Sequence, residues 1–340
     1  KQNRTLHSTL EREAYDTGQK HEISSAAFHR QWTPRSSAHW VDEVVLRDWT
    51  DPSNPQPLDP QDETRDTENS AQNIPAAFTR YYEPLFAKKT IGAKIPGSKR
   101  KALEALRDGD QVQPPTAAKC DAAITVDEIL LTCAHLPLGK SPGPDRLPNK
   151  FYRVFSAVVA PILAQVYEES RQRGSLPKTL RQGIISVLYK KKDRADPRNY
   201  RPITLLNNDY KIMTRILSSR MNEAVVQFVS RDQNGFVPDG FIAENLMRLQ
   251  LLQAAADEDD LEALFLFCDM EKAFDRCSWE FLLEGLKELG FGDDFINFVK
   301  LMYSDGANAV PTRQMYVNGH LGPHFPLGSG VAQGCSLSVG

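Results

Sequence analysis

Apolar positions recur along this chain in a few distinct spacings, and each spacing predicts its own kind of element. Ile129, Leu130, Cys133 and Leu136 stand at helical spacing. Thr125 precedes them with Glu128 three residues on, the pairing of a capping box, so a helix is predicted to start there. A longer helical pattern covers 149–173, with Pro161 expected to kink it and Gly174 to stop it. Further helices are predicted over 208–229, over 278–289 with Gly290 as its stop, and over 293–303. In the piece 74–86 the rings of Phe78, Tyr82 and Phe86 fall four apart, on one face if helical, and Pro84 is expected to bend or break that helix.

Other stretches carry the marks of strands and turns. Residues 183–190 are β-branched and apolar, a strand pattern. Residues 263–268, Ala-Leu-Phe-Leu-Phe-Cys, form a short continuous apolar run that suits a strand buried on both faces. Asn318-Gly319 between Gln314-Met-Tyr-Val and His-Leu predicts a hairpin with a type I′ turn. Residues 139–145, Gly-Lys-Ser-Pro-Gly-Pro-Asp, read as a rigid loop. Segment 51–73 is polar, acidic and Pro-bearing, a disordered or loosely held linker. A second loose stretch runs to about Pro115, and residues 1–50 mix helical and irregular signals around Trp32, Trp40 and Trp49. No internal repeat occurs, and strands mingle with helices without a βαβ rhythm, which points to an α+β fold.

Composition bounds this picture without changing it. The 340 residues suffice for about two domains, and 41% hydrophobic with 25% charged residues is ordinary for a globular protein. The longest apolar runs, such as Ala157-Val-Val-Ala-Pro-Ile-Leu-Ala164, are too short to cross a bilayer, and no secretory signal opens the chain. The chain opens on Lys1 and stops in mid-pattern at Gly340, so both ends read as cuts. Cys120, Cys133, Cys268, Cys277 and Cys335 form no CxxC and no zinc spacing, so free thiols in a reducing compartment, cytoplasm or nucleus, are expected. Net charge is -3, yet from Lys140 to Arg201 there are 14 lysines and arginines against 5 acidic residues. Such a stretch suits a surface that tracks phosphates, or simply a solvated face.

The chemistry concentrates in Phe265-Leu-Phe-Cys-Asp269-Met-Glu-Lys-Ala-Phe274-Asp275. A carboxylate at the end of a buried strand is held rigidly and opens toward solvent, as metal-assisted phosphoryl transfer requires, because Mg²⁺ prefers hard oxygen ligands. The plainer alternative is that Asp269 or Asp275 caps the following helix.

That stretch resembles motif A of reverse transcriptases in the form found in non-LTR (LINE-type) retrotransposons, an apolar strand ending in Asp-x-x-x-Ala-Phe-Asp. Leu138-Gly-Lys-Ser-Pro-Gly-Pro-Asp145 with Phe151-Tyr152 is similar to that family's extra fingers motif. Ile184-Ile-Ser-Val-Leu-Tyr-Lys-Lys-Lys192 and Asn199-Tyr-Arg-Pro-Ile-Thr-Leu205 resemble its two basic fingers motifs. Gln233-Asn-Gly-Phe236 is similar to the segment before motif A, and Gly330-Val-Ala-Gln-Gly-Cys-Ser-Leu-Ser338 to motif B. These matches stand in family order over about 125–340, and together they are far more specific than any one alone.

The resemblance implies the fingers and part of the palm of a right-hand polymerase over 125–340, behind a mostly helical or irregular connector over 1–50 and 74–124. It implies an RNA-directed DNA polymerase using two Mg²⁺ ions (Mn²⁺ as the substitute), with template RNA, a DNA primer and dNTPs as partners and no membrane. On these residues Asp269 would be the catalytic metal ligand, with the Met270 carbonyl as a second donor. Lys190 and Arg201 would meet the triphosphate, with Lys191 and Lys192 as rivals to Lys190. Phe274 would exclude a 2′-hydroxyl, or else be a core ring. Gln333 and Gly334 would sit by nucleotide and template. Lys140, Ser141 and Gly143 would lie against template RNA, or form only a tight turn. Asp275 would cap or brace the next helix.

Arg146, Ala332 and Ser336 depart from residues the family usually carries at those places. The aromatic-x-Asp-Asp motif would follow Gly340, so the chain as it stands is expected to be inactive. Two other functions stay open: a non-catalytic nucleic-acid-binding remnant, and a group II intron-type maturase.

Overall fold

The computed structural model describes residues 40–46, 66–88, 97–241, 243–303 and 310–339. Most of the expected connector 1–50, with Trp32 and Trp49, and residues 51–65 of the expected linker lie outside them. The fold mixes helices and sheets, an α+β arrangement, and it divides into two compact units. Of the described residues, one gathers those within Lys1–Leu85, Ile184–Leu205 and Arg313–Phe325; the other gathers those within Phe86–Gly183, Leu206–Thr312 and Pro326–Gly340.

The first unit is built on sheets. Strands β1 (Val44–Val45) and β2 (Thr67–Glu68) pair antiparallel, Val44 opposite Glu68. Helix α1 covers Ile74–Phe86. Its Phe78 meets Tyr200 edge-on at 5.2 Å, and the Tyr82 hydroxyl donates to the Tyr200 carbonyl at 3.2 Å. These rings bury the helix face that the four-residue spacing predicted. Pro84 does not break the helix before Phe86: it lies in the last turn, so only two residues follow it, and the amide it lacks would have met the carbonyl of Arg80, an exposed residue.

The chain then passes through the second unit, where α2 (Ser98–Asp108), α3 (Pro114–Asp121), α4 (Val126–Ala134), α5 (Asn149–Val154), α6 (Ser156–Arg173) and α7 (Lys178–Arg181) succeed one another. Strands β3 (Gln182–Tyr189) and β4 (Tyr200–Leu206) follow, then α8 (Asn208–Phe228), α9 (Ala243–Glu258), α10 (Trp279–Glu288) and α11 (Asp293–Tyr303). Strands β5 (Thr312–Val317) and β6 (His320–Pro326) close a four-stranded sheet in the order β4-β3-β5-β6. Asn318 and Gly319 both adopt positive φ, 53° and 88°, the expected type I′ turn. The Asn318 amide clasps the Val41 backbone, accepting at 3.1 Å and donating at 2.6 Å.

The second unit is a helical body whose core joins Ile129 and Cys133 of α4 and Leu136 just beyond it, Leu163 and Tyr167 of α6, Met213 and Leu217 of α8, and Phe295 and Phe298 of α11. Thr125 and Glu128 form the expected capping box of α4. Gly174 ends α6 in the left-handed conformation, its amide donating to Arg171 and Ser170 carbonyls. Asp121 caps α11 from outside, accepting from the Phe295 amide at 2.8 Å. Gly292 leaves room for that carboxylate; a Cβ there would overlap it.

Three expectations are corrected. The helix over 149–173 breaks at Phe155, not at Pro161, so Pro161 stands within two turns of a new N-terminus, where it costs few hydrogen bonds. The loose stretch before Pro115 contains α2 and most of the way to α3, because Ala102, Leu103 and Leu106 give one face of α2 an apolar edge. Residues 263–268 are no strand. They are irregular and exposed, with Leu264 94% accessible, since no described segment pairs with them and neither face is covered. Residues 66–73, described from the predicted linker, hold β2 and a turn. Among the described residues no helix is long and apolar enough to cross a membrane.

Candidate functional site

Two groups of candidate residues take shape, one in each unit. In the first, β3 ends at Tyr189 and the amide of Lys190 donates to the Asn199 carbonyl, closing the loop to β4. Tyr200 donates to the Arg194 carbonyl at 2.6 Å, and Asn199 to that of Asp193 at 2.8 Å. Arg194 lies over the Tyr189 ring at 4.6 Å, and Tyr189 donates to the Lys192 carbonyl. A basic loop is thereby held rigid by its own polar groups. Tyr189 and Tyr200 pack together on one face, so strand alternation sends Lys190 and Arg201 to the other. Both are exposed, as are Lys191 and Lys192. These four side chains form a cationic edge whose charges have no ion-pair partner among the described residues.

In the second unit the turn 271–277 and the turn 330–336 are laced together. The Gly330 amide donates to the Cys277 carbonyl at 2.7 Å, and the Val331 amide to that of Phe274 at 2.8 Å. The Trp279 indole N–H donates to the Gly330 carbonyl at 2.7 Å, and Gln333 Nε2 to Asp275 Oδ1 at 3.0 Å. Gly330 has φ +82°, and a Cβ there would press on the Asp275 carbonyl at 2.8 Å. Gly334, with φ 127°, likewise takes a conformation reserved for glycine. Phe274 is half-buried at this junction and is not part of the core.

Asp275 is 2% exposed. It does not cap the next helix: Ser278 does, accepting from the Phe281 amide. Asp275 instead braces the Gln333 turn, a partner fifty-eight residues away that spacing could not reveal. Burial pushes its carboxyl up to about 6, with Lys272, Gln333 and Arg276 pulling it partly back. Asp209 is likewise raised by burial to about 6. A carboxyl raised on folding favours the protonated native state, so stability falls as pH climbs from about 4 toward 6 and is level above. Replacing Asp275 with Asn keeps an oxygen for Gln333 and removes the buried charge. The variant is expected to be more stable at pH 7.5 by on the order of 2 kcal/mol, and to lose part of the pH 4–6 slope, Asp209 and Asp145, both raised by burial, supplying the rest. Urea denaturation at pH 4.5 and 7.5 measures both.

Asp269 and Met270 lie in the irregular exposed stretch, not at the end of a buried strand. Asp269 offers an open carboxylate, and among the described residues no three His, Cys, Asp or Glu side chains gather into a metal cluster.

In the loop 139–145 Lys140 is exposed, Ser141 half-buried and Gly143 buried. A Cβ on Gly143 would fall 2.3 Å from the Asn207 amide and from its side-chain oxygen. Asn207 accepts from the Asp145 amide and donates to the Thr179 carbonyl, and Asn208 donates to the Leu147 carbonyl at 2.6 Å. Gly143 therefore packs against Asn207, while Lys140 and, in part, Ser141 stay open to solvent. Asn207 and Trp279 went unnoticed in the sequence; the Asn-Asn pair between a strand and a helix is the signal that marks the first.

Comparison with known proteins bears on both groups. Residues 189–339 match the family model described as reverse transcriptase (RNA-dependent DNA polymerase). The chain is 32% identical over 259 residues to the transposon TX1 uncharacterized 149 kDa protein of Xenopus laevis, covering 76% of this chain and 19% of that protein. It is 30% identical over 198 residues to a probable RNA-directed DNA polymerase from transposon BS of Drosophila melanogaster, 57% of this chain and 22% of the relative. It is 28% identical over 274 residues to the RNA-directed DNA polymerase from mobile element jockey of the same species, 80% of this chain and 28% of the relative. The matched part thus spans 19–28% of the length of these relatives.

Proposed function

From the premise that this chain carries a reverse transcriptase segment of the non-LTR retrotransposon kind, we propose that it forms the fingers and part of the palm of an RNA-directed DNA polymerase. The observation that carries the reading is the lacing of the Phe274–Asp275 turn to Val331 and Gln333, which unites in one frame the two motifs that the sequence places beside a nucleotide. A rigid frame of this kind positions reacting groups before substrate arrives.

Each residue then has a task. Asp269, exposed and acceptor-only, would hold a divalent ion together with the Met270 carbonyl; both are hard oxygen donors, so they fit Mg²⁺ or Mn²⁺. Such ions, when bound, supply charge stabilisation to the attacking 3′ oxygen and to the leaving pyrophosphate. Lys190 and Arg201 would bind triphosphate oxygens, the lysine as a point charge and the arginine as a fork. Phe274 would close the space beside the sugar C2′. Gln333 and Gly334 would border nucleotide and template, and Lys140 would meet the template backbone.

The test is primer extension on an RNA template by the polypeptide that carries this segment, with Phe274 intact and with Phe274→Val. Extension with dNTPs is expected from the first, and a gain of ribonucleotide incorporation of about tenfold or more from the second, since removing a steric contact of this size is worth about 1–3 kcal/mol. Binding of primer–template without any extension would favour a purely nucleic-acid-binding role instead.

A further inference from the structure

Helix α8 carries two cations that form no salt bridge among the described residues. Lys211 and Arg215 stand one turn apart on one face and are each only partly exposed. Neither has a carboxylate within ion-pair distance among the described residues, and Arg215 Nε is buried without a hydrogen-bond partner. Asp145 is the acidic group close enough to act on Lys211, but its Oδ1 accepts from the Leu147 amide at 3.0 Å. Burial and the neighbouring Arg215 hold the lysine below its ordinary value, a sign that desolvation is not offset.

The face has a direction. Ser218, one turn beyond Arg215, donates to the Ser336 carbonyl at 3.3 Å, and Cys335 lies close enough to act on Lys211. The stripe 211–215–218 therefore looks toward the turn that carries Gln333 and Gly334. Just beyond that turn, Ser338 Oγ is also buried without a partner among the described residues. Two like charges held together out of water are unfavourable unless an anion joins them, and Asp145, one carboxylate near two cations and outside ion-pair distance of both, offsets them only in part.

We propose that Lys211 and Arg215 bind a phosphate of the template strand as it passes the Gln333 turn. The phosphate is the inference from geometry; its assignment to a template strand rests on the polymerase reading above. A lysine point charge beside an arginine fork is a pairing suited to one phosphodiester. The site differs from the cationic edge of Lys190 and Arg201, which belongs to the other unit.

The test measures binding of a labelled RNA template annealed to a DNA primer by the 340-residue chain across 50–300 mM KCl. The variants are Lys211→Gln/Arg215→Gln, Arg215→Lys, and a charge-matched control, Lys101→Gln/Lys287→Gln, at two exposed positions. The first is expected to bind about tenfold more weakly at 0.1 M salt, with the salt slope smaller by about 0.7–0.9, the share of one phosphate. Arg215→Lys is expected to recover most of the slope, and the control to leave it unchanged. Without nucleic acid, the double variant should melt no lower than wild type; a clear drop would mean the cations support the fold and would overturn the proposal. An unchanged slope would also overturn it while leaving the polymerase reading intact. Failure of the wild type itself to bind would count against both. Stabilisation of wild type by inorganic phosphate, lost in the double variant but with the strand slope unmoved, would assign the site to a free anion and reject the template.

Discussion

Replacing Asp269 with Asn is expected to lower RNA-templated primer extension by the polypeptide that carries this segment by a factor on the order of 10³, while folding and primer–template binding stay as they were. The reasoning starts from exposure. Asp269 lies in an open, irregular stretch and makes no contact that holds the fold, so its loss should change stability by less than about 0.5 kcal/mol. Asn is nearly isosteric but neutral, and it binds a divalent ion far more weakly than a carboxylate does. Charge stabilisation by such an ion is worth several kcal/mol in the transition state, and each 1.36 kcal/mol is about tenfold in rate. Removing a negative charge near the strand would, if anything, tighten binding. Parallel measurement of extension, affinity and melting separates these effects. Persistence of extension in the variant would remove Asp269 from the catalytic role.

Replacing Arg220 with Met is expected to destabilise the helical unit by about 3 kcal/mol, the largest stability effect on this surface of α8. The guanidinium is 10% exposed and grips Glu128 twice, each contact at 2.8 Å. It also donates to the carbonyls of Cys120, Ala122 and Ala123, so one side chain ties α8 to the end of α3 and the start of α4. Loss of the fork leaves Glu128 with only its Thr125 cap and strands those carbonyls. Burial opposes the Glu128 charge, but Arg220 and Thr125 outweigh it and hold the carboxyl below its usual range. A depressed acid stabilises the fold above its unfolded value, and that share is lost as pH falls through the lower folded value. Denaturant melts at pH 7 and pH 3 should therefore differ less in the variant than in wild type. Arg220→Lys keeps the charge without the fork and should lie between. A variant within about 1 kcal/mol of wild type at pH 7 would show that the fork is not a support of the fold.

These two residues were unequally legible in the sequence. The motif around Asp269 marked it, since the chemistry resides in the residue type and its immediate neighbours. Arg220 carried no mark, because its value arises from carbonyls about a hundred residues away. The same division runs through the fold. The α4 capping box, the Gly174 stop and the Asn318-Gly319 hairpin were readable because each is closed by residues a few positions apart. The apolar run 263–268 was misread because a strand exists only through its hydrogen-bonded neighbours, and none of the described segments supplies them. Helix α2 was missed because its face is only half apolar and none of its residues is buried.

By itself the sequence determined the mix of helices and strands, the caps and turns that bound them, and the inventory of carboxylates, cations and glycines in polymerase-like order. Those properties depend on local spacing and side-chain type. Only the tertiary structure decided that Gly143 is buried against Asn207, that Asp275 braces Gln333 rather than capping a helix, and that Arg215 Nε is buried without a partner among the described residues. Burial, desolvation and pairing are set by groups far apart in the chain, and the free energy of a polar side chain depends on the neighbours that folding brings to it.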